Sequence, residues 1–200
     1  EVPKDGVKSL PNPTSRKSEK KKLASAKSGN PKKALFTSPV VTTDTPGHAV
    51  LIKAKIKGVR NLFLTIADAG NYSCDWADWA FPRLIDRQGK ETKLTDLEWK
   101  SARSGWGKVQ INKNCSGKSL RMNGKQIDYG IGSHANSVIH YELPEGHDFI
   151  EFRALGGIDN GGSEQRKGKE SSVIFMVSDQ PIDLVQMVQK EENLPEVNFF

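Results

Sequence analysis

The segment Cys74-Asp75-Trp76-Ala77-Asp78-Trp79-Ala80 sets two tryptophans around an aspartate. A pyranose ring has an apolar CH face and a rim of hydroxyls. An indole suits the face and a carboxylate suits the rim, so these residue types fit saccharide recognition. The sequence places the segment in a loop that follows a strand. Asp75 and Asp78 lie three apart, so one Trp should point inward; Trp79 is read as that core residue. Trp76 stays open between a ligand platform and a core seal. Ser104-Gly105-Trp106-Gly107 reads instead as a packed Trp in a sharp corner, with glycines that permit tight turns and close approach.

Two further segments carry polar groups in tight spacing. Tyr129 to Ser137 contains Gly130 and Gly132, which give a bent strand entry, and then His134 and Asn136. These two sit on one side of an extended chain and offer donors and acceptors. The alternative for His134 is a buried ring satisfied by loop carbonyls. Gly156 to Gly162 reads as a glycine-rich loop around Asp159-Asn160. It does not fit G-x-G-x-x-G and no helix is expected after it, which argues against a phosphate cradle.

Catalysis has little support. G-x-S-x-G, the P-loop, H-E-x-x-H and C-x-x-C are all missing from the sequence. A glycosidase needs two carboxylates facing one cleft. The candidate acids, Asp68, Asp75, Asp78 and Asp159, are all expected on loops, and spacing alone does not bring them together. The four His lack zinc spacing. The stretch from Asp68 to Asp75 suits a hard cation better, so a structural calcium is one reading; Asx turns that tie down loop backbone are the favoured one. Cys74 and Cys115 fit either one disulfide or two buried thiols.

The elements that must position these residues are strands. Val50 to Ile56 alternates. Asn61 to Ala67 puts Leu62, Leu64 and Ile66 on one face. Ala80 to Ile85 runs into a hairpin signal at Asp86-Arg87-Gln88-Gly89, and Asn123-Gly124 is a tight-turn dipeptide. Ser137 to Leu143 turns Ile139, Tyr141 and Leu143 inward; Phe149 to Ala154 turns Ile150, Phe152 and Ala154 inward. Val173 to Val177 is a continuous apolar run, as in a central strand. About eight short strands at this spacing predict an all-β, antiparallel, jelly-roll-like sandwich. The only helical pattern is Ile182 to Glu192, which alternatively begins a linker.

Charge divides the chain. Residues 1–33 hold ten Lys/Arg and three Asp/Glu, whereas residues 34–200 hold twenty and twenty-one, a net of −1. A basic body is the usual footprint of a nucleic-acid binder, so that partner loses its support. Residues 1–33 have almost no large apolar side chains and read as a disordered basic linker. Residues 34–180 read as the sandwich, and 181–200 as a C-terminal extension. No apolar run is long enough to span a membrane. A chain opening at Glu1 without Met is expected to be a processed product or an excised fragment.

Several of these segments resemble the NPCBM family of carbohydrate-binding modules, related to the family 51 modules. The similar segments are Leu94 to Trp99, Ser104 to Gly107, Met122 to Lys125, Tyr129 to Ala135, Ile139 to Leu143, Gly157 to Asp159 and Ser172 to Val177. They cover about half the chain in family order. Asp75 to Leu84 resembles a segment that usually closes the module but here comes first, and Asn61 to Gly70 resembles the family's last strand. The resemblance therefore implies a circularly permuted strand order. That order would bring the Asp68–Trp79 loop, the His134–Asn136 segment and the Gly156–Gly162 loop to one end of the sandwich. Trp76 would then supply the platform, with Asp75, His134, Asn136, Asp159 and Asn160 as polar ligand-binding residues. Trp76 stands where the family often has His, Phe81 where it often has Asp, and Asn160 where a second acid is common, so the family's sugar preference does not transfer. The resemblance implies non-catalytic carbohydrate binding, an extracytoplasmic bacterial setting and other domains in the same polypeptide. The alternative is a structural or protein-interaction module that keeps the sandwich without binding sugar.

Overall fold

The computed structural model of this protein describes residues 34–70 and 72–182. The basic segment 1–33 and most of the helical pattern at 182–192 lie outside the described residues. Fourteen strands follow in chain order: β1 (Phe36–Thr37), β2 (Val41–Thr42), β3 (Ala49–Lys55), β4 (Asn61–Asp68), β5 (Trp76–Asp86), β6 (Glu91–Lys93) and β7 (Ser101–Arg103). They continue with β8 (Gln110–Ile111), β9 (Arg121–Met122), β10 (Lys125–Gln126), β11 (Gly130–His134), β12 (Ser137–Glu142), β13 (Phe149–Ile158) and β14 (Ser172–Ser178). One helical turn, α1 (Asn160–Ser163), follows β13.

The described strands form two six-stranded antiparallel sheets and a separate two-stranded hairpin of β9 and β10. The first runs β1-β14-β4-β12-β7, with β2 also on β14; the second runs β3-β13-β5-β11-β8, with β6 also on β5. A single core cluster draws on both sheets. The alternation seen in the sequence explains why. Leu62, Leu64 and Ile66 of β4 are fully buried, as are Ile139 and Tyr141 of β12. Each strand turns every second side chain to the same side, so the apolar set of each sheet faces the other. Val173, Phe175 and Val177 of β14 complete that layer. The fold is the all-β antiparallel sandwich that the strand pattern predicts.

One inward position differs from the periodic expectation. Phe149, not Ile150, packs against the core. The pairing of β13 with β5 shifts between Phe149 and Glu151, and a one-residue irregularity exchanges the faces of a strand. Both hairpin signals form. The Asp86 carboxylate accepts from the Gln88 and Lys90 N–H groups at 2.9 and 2.8 Å. Asn123 and Gly124 take φ values of 46° and 76° between β9 and β10. That pair of left-handed residues is what a type I′ turn requires.

Candidate functional site

The Trp-Ala-Asp-Trp segment is a strand. The sequence reading places it in a loop, but β5 begins at Trp76 and is central in its sheet, paired to both β13 and β11. Its inner side chains are Ala77 and Trp79, both in the core cluster. Trp79 meets Phe175 of the opposite sheet edge-on at 5.0 Å. The room for that contact comes from Gly156, the cross-strand partner of Trp79. A Cβ at Gly156 would lie 2.7 Å from both Ile52 Cδ1 and Phe175 Cγ. Gly156 and Gly157 thus belong to β13 and are not part of a glycine loop. Farther along β5, Phe81 takes φ 53° where the pairing with β13 slips. That bulge restores Leu84 to the core side.

The outer side of β5 carries Trp76 and Asp78. Trp76 is half-buried at the strand's start and lies opposite His134 of β11. The α1 turn lies against it. A Cβ on Gly161 would come within 2.5 Å of Trp76 Cζ3, and one on Gly162 within 2.9 Å of Trp76 Cβ. On the cleft side Trp106 stacks on Trp76 with ring centres 5.4 Å apart and planes 24° apart. Trp106 is 51% exposed, not sealed in a corner. Its flanking glycines fix the turn instead. A Cβ at Gly105 would meet the Ala135 carbonyl oxygen at 2.2 Å, and one at Gly107 the Cys115 carbonyl oxygen at 2.3 Å. With the backbone held down on both sides, the indole projects outward.

These rings line an open cleft of about 410 Å³. Tyr72, Cys74, Trp76, Trp106 and His134 form it on one side, and Gln165, Arg166 and Lys167 on the other. The Tyr72 ring leans on His134 at 4.7 Å between centres. The His134 ring contacts the Ala135 carbonyl oxygen through Nδ1. A carbonyl only accepts, so Nδ1 carries the proton and Nε2 is left as an acceptor in the neutral ring. Burial lowers the His134 pKa from its ordinary value, with the Ala135 carbonyl opposing, which keeps the ring neutral at physiological pH.

The remaining candidates sit beneath the cleft and hold its loops. Asp75 is fully buried; its Oδ1 accepts from the Ser172 N–H at 2.9 Å, and its Oδ2 has no partner. Burial pushes its carboxyl up to about 7, with a smaller push from the Asp68 charge. Asn136 is bound twice to Asp68, accepting from its N–H at 2.8 Å and donating to its carboxylate at 3.0 Å. The other Asp68 oxygen caps Gly70 N–H at 3.1 Å as an Asx turn. Asp159 is fully buried and accepts from Asn114 Nδ2, Arg121 N–H and Gly161 N–H at 2.8–2.9 Å. It caps α1, the turn that the sequence did not lead us to expect. Asn160 accepts from Gly124 N–H at 2.9 Å and donates to Glu164 at 3.0 Å.

Asp78 is the unusual member. It lies inside β5, fully buried, with neither carboxyl oxygen hydrogen-bonded. Burial first, and the neighbouring Asp159 charge second, hold its pKa well above the ordinary carboxylate range, which favours the neutral acid. Cys115 shares this environment, and its thiol is pushed up to about 12 by burial and by the same two acids. Cys74 and Cys115 are both free thiols. Among the described residues, no Asp or Glu lines the cleft. Among the described residues, no group of three or more His, Cys, Asp or Glu side chains is arranged to hold a metal ion.

The structure therefore brings the three expected segments together at one end of the sandwich. Trp76 and His134 reach the cleft, while Asp75, Asn136, Asp159 and Asn160 face the protein's own backbone. Tyr72, Trp106, Arg166 and Lys167 join the site without having been singled out as ligand residues. An exposed Trp between two glycines was the available signal for one of them. The basic pair lies past α1 in a stretch with no motif, and only the fold reveals its placement.

Comparison with known proteins rests on one finding. No curated protein and no solved structure matches the chain at a significant level. The family model described as NPCBM/NEW2 domain matches residues 27–85 and 90–193. The match spans most of the sandwich, including β5, β11 and the cleft segments, and on it the chain belongs to the NPCBM/NEW2 domain family.

Proposed function

We propose that this domain binds carbohydrate in the Trp106 cleft and does not turn it over. The observation that supports this most is the half-exposed Trp106 indole resting on Trp76 beside His134. Exposing that much apolar ring to water is unfavourable unless something covers it. A pyranose CH face is the right size and polarity, and the cleft wall offers polar groups to its hydroxyls. Among the described residues no carboxylate lines the cleft, which favours binding over hydrolysis, since hydrolysis needs an acid and a second carboxylate at the scissile bond. Asp75, Asn136, Asp159 and Asn160 serve as the frame that fixes the cleft loops. The domain name points to a carbohydrate-binding module, and the near-neutral charge of residues 34–200 gives no support to a nucleic-acid partner.

The setting we infer is extracytoplasmic, within a larger polypeptide. Among the described residues no helix is long and apolar enough to cross a membrane. The deciding experiment is calorimetric titration against a panel of mono- to tetrasaccharides. Binding should be modest, because small polar ligands offer little apolar area. It should weaken about tenfold or more in Trp106→Ala, the loss of roughly 1.4 kcal/mol. A panel with no binding, or a Trp106→Ala variant that binds as well as the parent, would leave a structural or protein-interaction module as the better account.

A further inference from the structure

Resting on that reading of the cleft, we propose that its ligand is an acidic saccharide, one bearing a sulfate ester or a uronic carboxylate next to the ring that stacks on Trp106. Four observations carry this. Arg166 and Lys167 form one wall, both exposed, and neither has an ion-pair partner among the described residues. The adjacent acid does not neutralise them. Glu164 is taken by Arg121 at 2.8 and 3.3 Å and by Asn160 at 3.0 Å.

The lining is also rich in donors and poor in acceptors. Indole, guanidinium and ammonium N–H groups only donate. The Gln165 amide is already engaged, donating to the Gly161 carbonyl at 2.7 Å and accepting from the Cys74 thiol at 3.7 Å. That leaves the His134 ring nitrogen and the Tyr72 hydroxyl to accept. A neutral pyranose hydroxyl can accept from such a wall but finds few acceptors for its own proton. A sulfate or carboxylate, which only accepts, is well matched, and Arg meets it through two parallel N–H groups. Finally, residues 34–200 carry a net charge of −1, so a cleft with two cations and no acid among its described lining residues is a local feature and not a sample of a basic surface.

The test is calorimetry on the full chain with short, defined ligands. The ligands are a monosulfated galactose disaccharide, its desulfated counterpart, and a uronic-acid disaccharide, each at low and at physiological salt. Short ligands are used because the basic segment 1–33 could bind a long polyanion. At least one acidic ligand should bind tenfold or more tightly than the neutral one, with an advantage that shrinks as salt rises. The sulfated and uronic arms identify which anion is preferred. In Arg166→Ala/Lys167→Ala, whose exposed side chains leave the melting temperature unchanged, the acid-to-neutral ratio should fall toward one. Equal or stronger binding of the neutral disaccharide would overturn the acidic assignment and leave the carbohydrate reading standing. Acidic binding that is insensitive to both the double substitution and Trp106→Ala would overturn it as well, because the anion would then sit elsewhere. Binding of no ligand in the set or in the wider panel would overturn the carbohydrate reading itself.

Discussion

His134 and Trp76 are direct cross-strand partners in the antiparallel pairing of β11 with β5. Both side chains stand on the outer side of the sheet, because their neighbours Ala77 and Ala135 belong to the core. One backbone ladder thus sets the floor of the cleft, and Trp106 is laid over it. The two stacked indoles should separate in their effects. Trp76→Ala removes a half-buried ring that supports both Trp106 and α1, and should cost roughly 1–3 kcal/mol in chemical denaturation as well as ligand affinity. Trp106→Ala should cost under about 1 kcal/mol of stability. Equal stability losses in the two variants would mean that Trp106 is part of the fold and not an addition to it.

Gly156 should tolerate no side chain. Its α-hydrogen faces Ile52 and the Phe175 ring, which packs on Trp79. Gly156→Ala is expected to lower stability by about 1–3 kcal/mol through overpacking, while Gly124→Ala, with open space around it but φ 76°, should cost about 1 kcal/mol. Urea unfolding of the two variants gives the comparison.

Stability should fall as pH rises from about 4 through about 7. Asp75 and Asp78 both keep protons in the folded chain that the unfolded chain releases near pH 4. A raised carboxyl contributes stability that is fully present below its unfolded value and is lost as pH climbs through its folded one. For Asp75 the loss is complete above about 7; Asp78 adds a loss of the same sign above its unfolded value. Asp78→Asn imitates the protonated acid. It should gain stability relative to the parent as pH rises above about 4, read as a flatter plot of melting temperature against pH. An unchanged slope would show that Asp78 is ionised in the fold.

The two thiols should differ sharply in reactivity. Cys115 is 2% exposed with its thiol pushed up to about 12, and thiolate is the reactive species. Cys74 is partly exposed in the cleft wall. Under native conditions a small disulfide reagent should modify Cys74 and leave Cys115 untouched, with both reacting in guanidinium. Intact-mass spectrometry of the parent and of Cys74→Ser reads the result. Saturating ligand should slow the Cys74 reaction.

The parts of the molecule legible in its sequence are those governed by a two-residue period. Leu62, Leu64 and Ile66, and Ile139, Tyr141 and Leu143, announce their faces because one side of each strand meets the core. Asn123-Gly124 announces its turn because few other pairs adopt two positive φ angles. The β5 strand was hidden by Asp78. Asp78 keeps the alternation, on the outer side between inward Ala77 and Trp79, but a buried carboxyl is not what that position announces, and burial raises its pKa toward the neutral acid that such a site tolerates. Within the site, Trp76 and His134 could be singled out from local composition. The roles of Asp159 and Asn160 could not, because their partners Asn114, Arg121 and Gly124 lie some forty residues away. Arg166 and Lys167 carry no local signal at all, since a charged pair in a polar stretch most often faces solvent.

The glycines on either side of Trp106 divide labour in a way that matters for how such a domain changes over time. All of the steric demand in that turn falls on positions 105 and 107, where any side chain would collide with a carbonyl. Position 106 carries none of it. The turn is thus a socket whose fitting is interchangeable. Substitutions there can alter what the domain recognises without disturbing how it folds, so selection, or an engineer, can respecify the ligand one residue at a time.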